Sequence, residues 1–196
     1  FALVGLRQPL MVQLDTETTV SDDLALSFFF IRNDQRLAAL FYILQEVIHV
    51  ETVDDNSYIN QVAVFVPTKY HVEYLQAVFT GNGWKCSAIH GTMDQDARKQ
   101  AIIEFKNRQT AILIVTDVAA RGIDMPSLKY VVNAYAPLSE KLFIHRVGRT
   151  ARADRSGSAF TLLEVTDVPF FAQLKRVIKR NFSNEASSGA TSDTYL

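Results

Sequence analysis

Short apolar runs punctuate the chain: Phe28-Phe29-Phe30-Ile31, Val62–Val66, Ala111–Val115 and Tyr130-Val131-Val132, with a shorter strand-like run at Cys86–Ile89. The four longer runs do not alternate apolar with polar residues. Strands buried on both faces look like this, and they belong to parallel sheets covered by helices. Between them lie helical stripes. Leu37, Leu40, Phe41, Leu44, Val47 and Ile48 form the first. Val72, Leu75, Val78 and Phe79 form the second, stopped by Gly81 and Gly83. Asp94 can cap a third that carries Ala97, Ala101, Ile102 and Phe105, and Ser139 a fourth that turns Leu142, Phe143 and Val147 inward. The strand–helix alternation predicts a doubly wound α/β fold, with a mostly parallel sheet and helices on both faces.

Three segments fall outside this rhythm. Residues 1–24 hold one strand-like run, Leu10–Leu14, and then the polar stretch DTETTVSDD. They read as the edge of an upstream domain followed by a linker. The chain opens on Phe1 in mid-pattern, as a fragment of a longer protein would. ETVDDNSYIN, residues 51–60, reads as an acidic surface loop. The last segment, 181–196, is rich in Ser, Thr and Gly and reads as a flexible tail behind a domain at 25–180.

Composition narrows the function classes. Apolar residues make up 48% of 196, enough for one domain with a full core. The formal net charge is −1, so a polyanion would have to be met by a local site. Cys86 is the single cysteine, which leaves no disulfide framework and no cysteine cluster for zinc. No apolar run reaches the roughly 18 residues of a membrane span.

In a sheet of this kind, ligands meet the loops at the carboxyl ends of the strands. The loop after Val62–Val66 reads PTKYH. Thr68, Lys69 and the next helix's first N–H groups can hold a phosphate, or Thr68 is an ordinary helix cap. The loop after Cys86–Ile89 reads HGTMDQDAR. Gly91 allows close backbone approach, and Arg98 can pair with a phosphate or sit in solvent. The loop after the third strand reads TDVAARGID. Thr116 and Asp117 end a buried strand, Arg121-Gly122 makes a turn, and Asp124 is placed to accept hydrogen bonds from a sugar hydroxyl.

The fourth place is HRVGRTAR. From Lys141 to Arg155 five cations face one acid, Asp154, a balance of +4. A solvated basic helix face is one explanation. Against it, Phe143, Ile144 and Val147 must pack inward on the same helix. Arg149 and Arg152 fall near the helix exit, and planar guanidinium donors suit phosphate oxygens. A phosphoryl-transfer site uses such groups on the departing γ-phosphate. Yet no GxxxxGK[ST] occurs among the eight glycines, and no Asp-Glu pair follows an apolar strand to hold magnesium. The phosphate cradle must come from another domain or chain.

In order and spacing, these segments resemble the C-terminal RecA-like domain of DEAD-box RNA helicases. VFVPTK resembles motif IV, HGTMDQDAR the HG…QxxR element, VTDVAARGID motif V and HRVGRTAR motif VI. His145 favours this group over DEAH relatives, which usually carry Gln there. The resemblance covers roughly residues 25–180 and implies a three-layer RecA-like domain. It further implies that Asp124 and Gly122 meet the nucleotide, and that Arg149 and Arg152 reach its γ-phosphate when two domains close. His145 would join the domains, and Thr68, Gly91, Arg98, Thr116 and Gly122 would line an RNA-backbone track. ATP and Mg²⁺ are the implied cofactors, with Mg²⁺ held by an N-terminal domain outside this chain. The implied partners are RNA, that N-terminal domain and pre-ribosomal proteins. A monomer without membrane attachment is expected.

Some positions depart from the family pattern. Ala151 replaces a more usual Gly, Asp154 and Thr92 stand where Gly and Asp are common, and NAYAP lacks the acid of NYDxP. The segments LFIHR, SFFFIRND and VPFF look most like nucleolar helicases of large ribosomal-subunit assembly, which implies a nuclear, nucleolar location. A non-catalytic RecA-fold module that grips RNA or an acidic partner is the alternative. A DNA helicase of the same superfamily is a third reading.

Overall fold

The computed structural model describes residues 24–50, 52–54, 57–58, 60–121, 128–150 and 156–188. Six strands form its main sheet: β1 (Leu24–Phe30), β4 (Val62–Val66), β5 (Cys86–Ile89), β6 (Ile112–Thr116), β7 (Tyr130–Asn133) and β8 (Gly157–Leu163). Their spatial order is β1-β8-β7-β4-β6-β5, and every pairing among them is parallel. The expected parallel sheet is thus present, with no antiparallel strand in it.

The centre of the sheet follows directly from the apolar runs. All five residues of β4 and all five of β6 are buried. Successive side chains of a strand point to opposite faces, and β4 divides accordingly. Val62, Val64 and Val66 pack with Leu40 and Leu44 of the first helical segment and with Val72 and Phe79 of α2 (Lys69–Gly81). Ala63 and Phe65 pack with Phe105 of α3 (Gln95–Lys106), with Phe143 and Val147 of α5 (Glu140–Val147), and with Leu174 of α6 (Val168–Ser188). The result is three layers, helix–sheet–helix. Phe65, Phe79, Phe105 and Phe143 are fully buried, each worth about 1.5–3 kcal/mol relative to an exposed ring.

Caps set where the helices begin. Thr68, Asp94 and Ser139 each occupy an N-cap, and their side chains accept from the backbone N–H of His71, Ala97 and Leu142 respectively. At the exit of α2 the chain turns through Gly83 at φ 88°, a left-handed conformation that glycine adopts without strain.

Several elements differ from the sequence reading. The first helical stripe divides into α1 (Arg36–Tyr42) and a π turn (Ile43–Val47). The acidic stretch read as a loop contains a two-residue-to-three-residue antiparallel pair, β2 (Thr52–Asp54) with β3 (Ser57–Tyr58). Asn60 ties that excursion to the body by donating to the carbonyls of Ile48 and His49. Strand β8 and helix α6 are additional to the elements read from the sequence. β8 mixes Ser and Thr into its apolar run, and Thr161 stays buried by accepting from the Asn133 amide at 3.0 Å. Helix α6 continues to Ser188, past residue 180. The Leu10–Leu14 run and residues 189–196 lie outside the described residues.

Candidate nucleotide and nucleic-acid interface

All six strands run the same way, so their carboxyl ends share one edge. Strand order places the ends of β4, β6 and β5 side by side, the outer two about 10 Å apart at the usual strand spacing. Thr68, Thr116 and the pair Gly91–Arg98 therefore come from three neighbouring loops of one rim.

At the end of β4, Thr68 caps α2, and its hydroxyl lies 2.8 Å from His71 Nδ1. Lys69 extends its ammonium over the ring of Tyr70, 5.1 Å from the centroid. His71 has its pKa lowered, first by burial and then by the nearby positive charge of Arg36. The imidazole therefore favours its neutral form.

At the end of β5, Gly91 is exposed. A methyl added there would meet only the Val118 side chain, at an ordinary 3.8 Å. The domain's own packing thus leaves the outer side of Gly91 open. Arg98 is half-buried. It reaches back from α3 to donate from Nη2 to the Gly91 carbonyl at 2.6 Å, and its buried Nε has no hydrogen-bond partner. At the end of β6, Thr116 is itself buried and caps the short α4 (Asp117–Ala120) without a side-chain bond.

The central electrostatic feature is Arg146. It is 2% exposed. Its Nε and Nη2 donate to the two carboxylate oxygens of Asp117, both at 2.7 Å. Its Nη1 donates to Asn133 Oδ1 at 3.0 Å and to the Tyr135 carbonyl at 3.2 Å. The guanidinium lies 5.2 Å from the Phe65 ring centroid. One side chain on α5 thus ties together the ends of β4, β6 and β7. Bidentate, charge-assisted bonding satisfies both ions inside the domain. The sequence reading gave Arg146 no role, because a basic run suggests a solvated face. The signal was present in the spacing: Arg146 stands between Phe143 and Val147 on the inward stripe.

Arg149 and His145 lie on the other side of the α5 exit. Arg149 Nη2 is 2.6 Å from His145 Nε2. A guanidinium has no acceptor, so Nε2 accepts and the His145 proton sits on Nδ1. His145 is exposed and Arg149 half-buried. The backbone here is pinned. Leu128 N–H donates to the Arg149 carbonyl at 3.0 Å, and the Thr150 hydroxyl donates to the Lys129 carbonyl at 3.1 Å. Leu128 and Thr150 form a parallel bridge. Gly122, Asp124 and Arg152 lie outside the described residues.

Among the described residues these segments offer cationic side chains, helix caps and an open glycine. No three His, Cys, Asp or Glu side chains gather among the described residues.

Comparisons with known proteins identify the family. Residues 39–154 match the family model described as the helicase conserved C-terminal domain. The chain is 47% identical over 174 residues to DEAD-box ATP-dependent RNA helicase 29 of Oryza sativa subsp. indica, covering 89% of this chain and 20% of that protein. It is 40% identical over 181 residues to ATP-dependent RNA helicase DDX54 of Mus musculus, again 20% of that protein. The chain therefore spans about a fifth of the length of these curated relatives. Among solved structures, a DEAD box protein from Methanococcus jannaschii superposes with a TM-score of 0.69 at 29% identity, over 80% of this chain and 40% of that one. The E. coli DEAD-box protein SrmB, solved bound to regulator of ribonuclease activity A, gives 0.64 at 30% identity, over 78% and 85%. The chain belongs to the helicase conserved C-terminal domain family, and it is the RecA-like C-terminal domain of the DEAD-box kind.

Proposed function

We propose that this chain is the C-terminal half of an ATP-dependent RNA helicase that remodels RNA duplexes or ribonucleoproteins during ribosome assembly in the nucleolus. The RNA backbone passes Thr68, Gly91, Arg98, Thr116 and Gly122. Asp124 takes the ribose of ATP, while Arg149 and Arg152 complete the site around its terminal phosphate. The phosphate cradle and Mg²⁺ belong to the N-terminal domain, and the metal supplies charge stabilisation of the phosphoryl oxygens there. His145 holds the two domains in register. Pre-ribosomal proteins are the further partners, and the protein acts as a monomer.

The observation that carries this reading is the division of roles along α5. Arg146 is fully engaged inside the domain and anchors the helix. Arg149, one turn on, stands on a backbone pinned through Leu128 at the entry to β7, with its guanidinium beside exposed His145. An arginine on a rigid support suits a phosphate that arrives from across a domain seam. The ribosome-assembly and nucleolar part rests on sequence likeness to the nucleolar helicase group and to the relatives named DBP10 and DDX54.

The test is RNA-stimulated ATP hydrolysis by the complete protein carrying Arg149→Ala. Turnover is expected to vanish while the melting temperature stays put. Undiminished turnover would remove Arg149 from this role.

A further inference from the structure

A cavity of about 300 Å³ opens between α1, α2 and the end of β7, beside Thr68. The motifs above assign it nothing. Leu37, Leu40 and Leu75 form its apolar lining, and the rings of His71, Tyr74 and Tyr135 stand around it. Asn33 and Asp34 lie at its exposed margin. This volume is at the small end for ligand sites and suits one ring system rather than a helix or folded segment.

Charge decides what kind of ring. Arg36 is the single cation among the lining residues, and it is already neutralised. It donates to the Glu164 carboxylate and to the Ala134 carbonyl, and its guanidinium lies 4.0 Å from the Tyr135 centroid. Asp34 adds a carboxylate at the margin. Asp34 is itself paired with exposed Arg32, Nε to Oδ1 at 3.5 Å, so neither lining charge is left over to hold a phosphate. A neutral, flat group with donors and acceptors on its edge meets complementary surfaces: aromatic walls, the Asn33 amide and the Asp34 carboxylate. Arg36 is 7% exposed, and its Nε has no hydrogen-bond partner. The domain itself thus leaves a buried donor unsatisfied at this wall.

Position completes the reasoning. His71 packs edge-on against Tyr135, with centroids 4.7 Å apart, and also meets the Thr68 hydroxyl. One side chain therefore separates the cavity from a residue of the RNA-backbone track. Tyr74 is 56% exposed and Tyr70, one turn earlier on α2, is 69% exposed. Exposed aromatic rings beside a backbone track are the usual platform for unpaired bases.

We propose that this cavity receives one nucleobase of the RNA strand, packed against Tyr74 and Tyr135, while that strand's backbone passes Thr68. The proposal rests on the RNA-track reading above and adds a base-binding subsite to it. It gives the domain a grip on a single unpaired nucleotide, whichever base that is, since every base presents a flat face.

The experiment uses the complete protein, a non-hydrolysable ATP analogue and a set of short single-stranded RNAs with one abasic nucleotide moved stepwise along the strand. One position is expected to lower affinity by roughly five- to 150-fold, the range for loss of a stacked base. Tyr74→Ala, at an exposed site, should weaken binding of intact RNA by a similar factor and leave no further loss on the abasic strand. Thr68→Ala and Arg98→Ala should weaken all strands alike. If those two variants bind every strand normally, the track reading fails. If they weaken binding but no abasic position matters, or Tyr74→Ala binds RNA as the wild type does, the base subsite is overturned, and a protein side chain becomes the occupant to seek.

Discussion

The Arg146 guanidinium straddles the Asp117 carboxylate with two 2.7 Å hydrogen bonds, joining the last helix of the arginine motif to the loop that follows β6. The segment after β6 and the arginine helix are therefore fastened together by a buried ion pair.

Breaking that pair should be costly. Arg146→Ala leaves Asp117 without its counter-ion and removes the partner of Asn133 Oδ1. A loss of about 3–5 kcal/mol is expected, seen as a lower urea midpoint with unchanged slope. Arg146→Lys should recover only part of it, because an ammonium cannot span both carboxylate oxygens. In a double-mutant cycle, Arg146→Ala and Asp117→Ala together should cost less than the sum of the singles. Simple additivity would mean that the pair contributes nothing as a unit.

Arg149 should separate from Arg146 in the opposite sense. In the complete protein Arg149→Lys is expected to melt with the wild type and to lose turnover by a factor on the order of 10³, at the low end for an arginine acting on a transferring phosphoryl group. Steady-state ATPase assays with saturating RNA read this directly. A turnover defect accompanied by unfolding would assign Arg149 to structure.

His71 should titrate below its ordinary value of 6.5, because burial and the Arg36 charge both disfavour imidazolium. A group with a depressed folded-state pKa contributes stability that is present above its unfolded pKa and lost as pH falls through the folded one. Stability should thus decline as the pH drops below 6.5, and His71→Gln should flatten that part of the profile. Imidazole resonances followed by NMR give the midpoint; a value above 6.5 contradicts the arrangement around Tyr135.

Burial pushes the Cys86 thiol up to about 12. Its sulfur faces the Trp84 carbonyl at 3.6 Å. The native protein should resist a thiol-exchange reagent at pH 8 and react at once in denaturant. The sign of the linkage is also fixed: the unfolded thiol ionises near 9 while the folded one does not, so stability falls as pH rises from 9 towards 12. Prompt reaction of the native form would show that the half-buried sulfur is reached without unfolding.

Some of this molecule could be read from its residues one after another. Val62–Val66 announced a strand buried on both faces because nothing polar interrupts it, and Thr68, Asp94 and Ser139 announced helix starts because a short oxygen-bearing side chain preceded each stripe. The α/β class followed, and with it the loops at the carboxyl ends of β4, β5 and β6. What stayed hidden depends on long-range neighbours. Asp117 and Arg146 meet only because β7, β4 and β6 lie side by side, and local pattern carries no strand order. Gly157–Leu163 was passed over since its Ser and Thr look like a loop until Asn133 supplies Thr161 with a partner. The cavity beside Thr68 is assembled from three separate stretches, none of which looks like a site alone.

The bridge between Leu128 and Thr150 has a mechanical corollary. The chain entering β7 and the chain departing the arginine helix are laced to each other before either goes its way. Leu128 and Thr150 therefore shift as one piece, so that any tilt at the root of β7 is passed to the end of the arginine helix.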